Sequence, residues 1–172
     1  MVRQATAAMG CLALLLTGCA NLGSEQAGIT LTGSDDAAAA LAVRTLLADA
    51  GQPVEPAAAP SSLFVYRQGR ATLLSPVLQA EGLDRIIASR SYAPAAAAGE
   101  PELEALALEL NRRLNVAGFK VSGAALVMEA NLTFVDRLTL DELLDFLDWL
   151  DTIELAIRRV DQERPALLLT TT

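Results

Sequence analysis

Lys120-Val-Ser-Gly-Ala-Ala-Leu-Val-Met-Glu-Ala-Asn-Leu-Thr-Phe-Val135 is the stretch whose reading decides the fold. It reads as a β-hairpin with Ser122-Gly123 at the turn. Leu126, Met128, Ala130, Leu132 and Phe134 alternate onto one face, and Glu129, Asn131 and Thr133 onto the other. That period of two marks a strand with one face on a core and the other partly wet, the usual condition of an antiparallel sheet. Directly downstream, Thr139-Leu140-Asp141-Glu142 is a capping-box pattern in which Glu142 can reach back to the Thr139 N–H. It opens a helix expected to run to about Val160. Leu143, Leu147, Leu150, Ile153 and Ile157 form the core stripe, flanked by Phe146 and Trp149. Asp141, Asp145, Asp148 and Asp151 read as a polar face, and Arg158 and Arg159 close the C-terminus.

Working back from the hairpin, Pro101 suits a first helical position because its missing N–H has no partner there. Leu103, Leu106, Leu110 and Leu114 define the buried face of that helix, and Gly118 is expected to end it. Its acids lie early (Glu102, Glu104) and its Arg112 and Arg113 late, as the helix dipole favours. Further back come three strands, Leu63 to Tyr66, Ala71 to Leu74 and Arg85 to Tyr92, with Gln68-Gly69 turning between the first two. Gln52 to Pro60 carries three Pro and reads as a loop. A helix from Ala37 to Ala50, capped by Ser34 or Asp35 and ended by Gly51, carries the stripe Val43, Leu46, Leu47 and Ala50. Ile29 to Thr32 reads as a short opening strand. The fold class is therefore α+β: an antiparallel sheet of about five strands packed against two to three helices, in one domain over 29–160. Residues 161–172 are a tail holding Ala166-Leu167-Leu168-Leu169, an edge strand or a frayed end.

The order helix, three strands, helix, two strands, helix resembles the YbjN-like family, which shares the type III secretion chaperone-like fold. The likeness runs from about Ile29 to Val160. Its most suggestive part is Asn111-Arg112-Arg113-Leu114-Asn115 before the hairpin, then Leu132 to Leu143 leading into the last amphipathic helix. The resemblance implies a sheet with helices, a shape that in relatives binds protein segments or pairs with itself, and it carries no catalytic motif. The Pro-rich loop and the N-terminus depart from the family.

That N-terminus ends in Leu16-Thr17-Gly18-Cys19, behind an apolar run of about ten residues and a single Arg3. The run is too short to span a bilayer, which takes roughly twenty residues, and the layout is that of a secretory signal. It resembles a bacterial lipoprotein signal peptide with its lipobox. The resemblance implies cleavage between Gly18 and Cys19, removal of residues 1–18, and an S-diacylglycerol group with an N-acyl chain such as palmitate on Cys19. It further implies that residues 19–28 form a lipidated tether. Ala20 in place of Asp after the Cys implies an outer-membrane address facing the periplasm, or the cell membrane in a Gram-positive host. An ordinary cleaved signal, a core helix and modification at Cys11 are the competing readings.

Composition narrows the chemistry. There is no His, and both Cys lie at or before the lipid site. A Ser-His-Asp triad, a Cys-His pair and a His-ligated metal are thereby excluded. The formal charge of −8 argues against nucleic acid as a partner. No cofactor motif is present, and the Asp row of the last helix lacks the convergent loop geometry of calcium sites. The leading expectation is a non-catalytic protein-interaction or chaperone-like module, anchored through lipid on Cys19, with a protein partner or self-association. The alternatives are an envelope enzyme working through carboxylates such as Glu129 or Asp136, and a binder of a small hydrophobic ligand between sheet and helices. Asn111-Arg112-Arg113 reads as an anion site or, the commoner case, as a solvated helix end.

Overall fold

The computed structural model describes residues 27–31, 34–79, 83–94 and 98–163. The lipobox, Cys19, most of the tether, and Ala166 to Leu169 lie outside them. The element order is β1 (Gly28–Thr30), α1 (Asp36–Asp49), β2 (Val54–Pro56), β3 (Leu63–Arg67), β4 (Arg70–Val77), β5 (Asp84–Tyr92), α2 (Glu100–Arg113), β6 (Gly118–Ser122), β7 (Ala125–Phe134), β8 (Arg137–Thr139) and α3 (Leu140–Gln162). Six strands form one antiparallel sheet in the order β2-β3-β4-β5-β7-β6, and β1 pairs with β8 in a separate two-stranded ribbon. The α+β class stands, with a larger sheet than the five strands the periodicity suggested.

The local signals act as their chemistry dictates. Asp35 caps α1, its carboxylate accepting from the Ala38 N–H at 2.7 Å. Thr139 Oγ1 accepts from the Glu142 N–H (3.2 Å) while Glu142 Oε2 accepts from the Thr139 N–H (2.9 Å), closing both halves of the capping box of α3. Gln68 and Gly69 both have positive φ, 51° and 74°, as a two-residue type I′ turn requires.

Several expectations are corrected. The β6–β7 turn is Gly123-Ala124, because Ser122 already pairs with Ala125. Helix α2 ends at Arg113, four residues earlier than expected, and Gly118 opens β6 instead. The proline-rich loop contains the edge strand β2, which tolerates Pro because its outer side needs no donor. Strand β4 continues past Leu74 through Pro76 to Val77. Its pairing with β3 ends at Leu74, so Pro76 sits where only the β5 side is bonded. Asp151 is not on the polar face of α3 but buried against the sheet.

All three helices pack on one side of the six-stranded sheet. Val43 and Leu47 of α1, Leu106 and Leu110 of α2, and Leu143, Leu147, Leu150 and Ile157 of α3 share a single core with Leu74, Ile86, Ala88, Leu126 and Met128 from the inward face. The outward residues Phe64, Leu73, Ile87 and Val127 belong to no part of that core. Among the described residues, no helix is long and apolar enough to cross a membrane.

Candidate functional site

Two features carry chemistry: a charged cluster buried between α3 and the sheet, and the outward sheet face, on which none of the three described helices packs. The cluster centres on Arg90, which is 1% exposed. It sits at an inward register of β5 two residues beyond Ala88, so alternation drives its side chain into the core. Arg90 Nε donates to Thr72 Oγ1 (2.8 Å), Nη1 to the Leu150 carbonyl (3.3 Å), and Nη2 to Asp151 Oδ1 (2.6 Å). Two residues on, the Tyr92 hydroxyl donates to Glu154 Oε2 at 2.7 Å. The other oxygen of Glu154 accepts from Arg158 Nε at 3.0 Å and lies 3.7 Å from Arg70 Nε. Gln68 Nε2 donates to Asp151 Oδ2 at 3.3 Å.

Such a group of carboxylates, guanidinium and phenol resembles acid–base machinery, but its geometry is that of a clamp. Arg90 is held by three acceptors, and both buried carboxylates are paired. Burial, and secondarily the Glu154 charge, push the Tyr92 hydroxyl far above its ordinary range, so it stays protonated at any physiological pH. A general base needs a free lone pair within reach of substrate, and the carboxylates here spend theirs on the fold. The depression above the cluster, about 290 Å³ and lined by Gln68, Arg70, Asp148, Asp151, Thr152 and Leu155, is open to the surface.

The residues singled out from sequence are not brought together. Glu129 lies on the outward face and pairs with Lys120 Nζ at 2.7 Å. Asp136 sits beyond the end of β7 at φ 56°, where its carbonyl accepts from the Leu31 N–H. Seven residues of nearly extended chain separate them by roughly 20 Å at about 3.3 Å per residue. Paired glycosidase carboxylates stand about 5–9.5 Å apart. In the Asp row of α3, Asp148 pairs with Arg67 and Asp151 with Arg90. Among the described residues, no group of three His, Cys, Asp or Glu is disposed to hold a metal ion.

Asn111 proves to be neither an anion ligand nor idle. Its Nδ2 donates to the Phe119 carbonyl (2.7 Å), and its Oδ1 accepts from the Phe119 N–H (2.9 Å). The side-chain amide thus occupies the outer edge of β6 as a neighbouring strand would. Arg113 bridges Glu109 and Glu163, each at 2.6 Å. A cavity of about 570 Å³ lies between α1, β1 and the start of α3, lined by residues including Ile29, Ala42, Leu46 and Leu140. It lies between the two-stranded ribbon and the helices rather than against the six-stranded sheet.

Sequence reasoning missed the Arg90 cluster. The available signal was a charged residue at a core-facing register of a strand, matched by Glu154 beside the core stripe of an amphipathic helix.

No family model and no curated protein matches the sequence. Among solved structures, the chain is similar to the crystal structure of YbjN, described as "a putative transcription regulator from E. coli". The TM-score is 0.53 at 18% identity, over 75% of this chain and 94% of that one. The likeness is one of fold: an α+β domain of the same arrangement.

Proposed function

We propose that this chain is a lipid-anchored protein of the bacterial cell envelope that acts as a non-catalytic interaction or chaperone-like module. The observation that carries the module reading is the division of the sheet: three helices cover one face, and the outward face stays outside the core. The ionisable groups of the Arg90 cluster are consumed in holding α3 to that sheet, which leaves the surface rather than a cleft to meet a partner. The anchor reading rests on Leu16-Thr17-Gly18-Cys19. One acyl chain holds a protein to a bilayer only marginally, and the three implied on Cys19 exceed the two signals needed for stable anchoring. With Ala20 after the Cys, the outer membrane facing the periplasm is the address, and Cys19 to Gln26 reaches no more than about 30 Å from it.

A transcription regulator, the description given to the structural neighbour, is the less favoured reading if such a protein is to bind DNA directly. Phosphate contacts need clustered Lys and Arg. Here the formal charge is −8, and Arg67, Arg70, Arg90 and Arg158 are engaged with carboxylates of α3.

Mass spectrometry of the mature N-terminus tests the anchor: triacylated Cys19 is expected, and an intact Met1 or unmodified Cys19 overturns it. Crosslinking in intact cells tests the module. Recovery of monomer alone over several crosslinker lengths overturns that reading.

A further inference from the structure

We propose that the outward face of the six-stranded sheet is the surface through which two copies of this chain pair, face to face. The proposal deepens the interaction-module reading and needs no lipid on Cys19.

The edges of the sheet are poorly suited to a partner strand. At β6, Asn111 occupies both hydrogen-bonding groups of Phe119. At β2, Pro56 lacks a donor and Pro53 precedes the strand. Prolines and local side-chain cover are the usual means by which natural sheets blunt their edges. The face is different. Strand alternation places Phe64, Leu73, Ile87 and Val127 on it, and the register sets Phe64 beside Leu73 and Leu73 beside Ser89. Ser75, Ser91, Asn131 and Thr133 supply small polar neighbours.

Charge selects the occupant. The whole chain carries −8, so two copies repel over most of their surfaces. The outward face holds two acids, Glu55 and Glu129, and two bases, Arg85 and Lys120, and is neutral. It is therefore a place where like copies can approach without net repulsion.

Size agrees. Six strands about 4.8 Å apart span roughly 24 Å, and the nine residues of β5 span about 30 Å. With the edge strands β2 and β6 only three and five residues long, that is on the order of 600–700 Å² per copy, near the lower bound of stable interfaces at about 1,200 Å² in total. The pairing is thus reversible, built by packing two sheet faces about 10 Å apart.

The test places single cysteines on the face of the full chain expressed in its host: Ser75→Cys, Ser89→Cys and Ser91→Cys, with Ala48→Cys on α1 as control. The unsubstituted chain sets the background from Cys11 and Cys19. After a bismaleimide crosslinker, whose span suits faces too far apart for a disulfide, at least one face position is expected to give a covalent dimer at least tenfold above control. Adding Ile87→Lys should abolish that dimer at unchanged protein level. Phe64→Glu replaces it should Ile87→Lys fail to accumulate. No dimer above control from all three positions, an adduct with another protein in its place, or a dimer indifferent to the introduced charge overturns the proposal. An unlipidated N-terminus overturns the anchor and leaves this result untouched.

Discussion

At the scale of single residues, Arg90 shows how burial changes what a charge is worth. Its guanidinium is out of water, and Asp151 is the anion that makes this tolerable. Removing one partner of a buried pair strands the other, which costs about 3–5 kcal/mol. Arg90→Met should therefore lower the unfolding free energy by about that amount in urea titration. Arg67 makes the contrasting pair, with an Asp148 carboxylate that is 63% exposed. Exposed pairs are worth about 0–1 kcal/mol, and Arg67 Nη1 is already buried without a partner. Arg67→Met should change stability by less than about 1 kcal/mol in the same assay. Equal effects at the two sites would show that the cluster is not the clamp described. Asn111 is the other residue with a large local role, making two hydrogen bonds worth about 0.5–1.5 kcal/mol each. Asn111→Ala should cost about 1–3 kcal/mol and, by baring the β6 edge, raise concentration-dependent aggregation measured by light scattering.

At the scale of elements, legibility followed the range of the signal. The capping box of α3, the α1 cap and the Gln68-Gly69 turn depend on residues at most three apart, and sequence located all of them, the α1 cap to within Ser34 or Asp35. The alternation of Leu126 to Phe134 identified β7 for the same reason. Strands β2 and β8, at three residues each, carry no readable period. They exist because β3 and β1 present a free ladder to them. The Arg90–Asp151 pair spans 61 residues, a separation that no local pattern encodes. The capping box also makes a pH-dependent prediction. Hydrogen bonds from the Thr139 backbone, then its side chain, hold Glu142 below the ordinary carboxylate range. The unfolded chain thus binds the proton more readily, so this contribution is present above about pH 4.3 and is lost as pH falls through the lower folded value. Glu142→Gln keeps an acceptor at the same place but cannot titrate. It should flatten the acid limb of the stability–pH curve without removing the helix. Thr139→Ala should instead cost about 1 kcal/mol at neutral pH.

At the scale of the whole molecule, stability is distributed unevenly about a one-sided sheet. The centre is β5 and β7, paired over nine residue positions and packed against α3 and α2. The periphery is the β1–β8 ribbon, with three paired positions, and a two-stranded ribbon is marginal by itself. What holds it is Leu31 and Leu138, both buried in the common core, and backbone bonds from Leu31 N–H to Asp136 and from Leu140 N–H to Ala27. The chain before Ala27 enters the domain through this ribbon, so tension applied from that end acts first on its weakest ladder. Local opening free energies range from near zero at such margins to the global value at core strands. Native-state hydrogen exchange should therefore find the β1–β8 amides at least tenfold less protected than those of β5 and β7. Leu138→Ala removes the ribbon's best-buried side chain, and large-to-small core changes cost about 2–5 kcal/mol. It should widen the difference by releasing the ribbon while β5–β7 exchange continues to report global unfolding. Equal protection across both sheets would mean that the ribbon opens only with the core, and that the entry point of the chain is as firmly held as its centre.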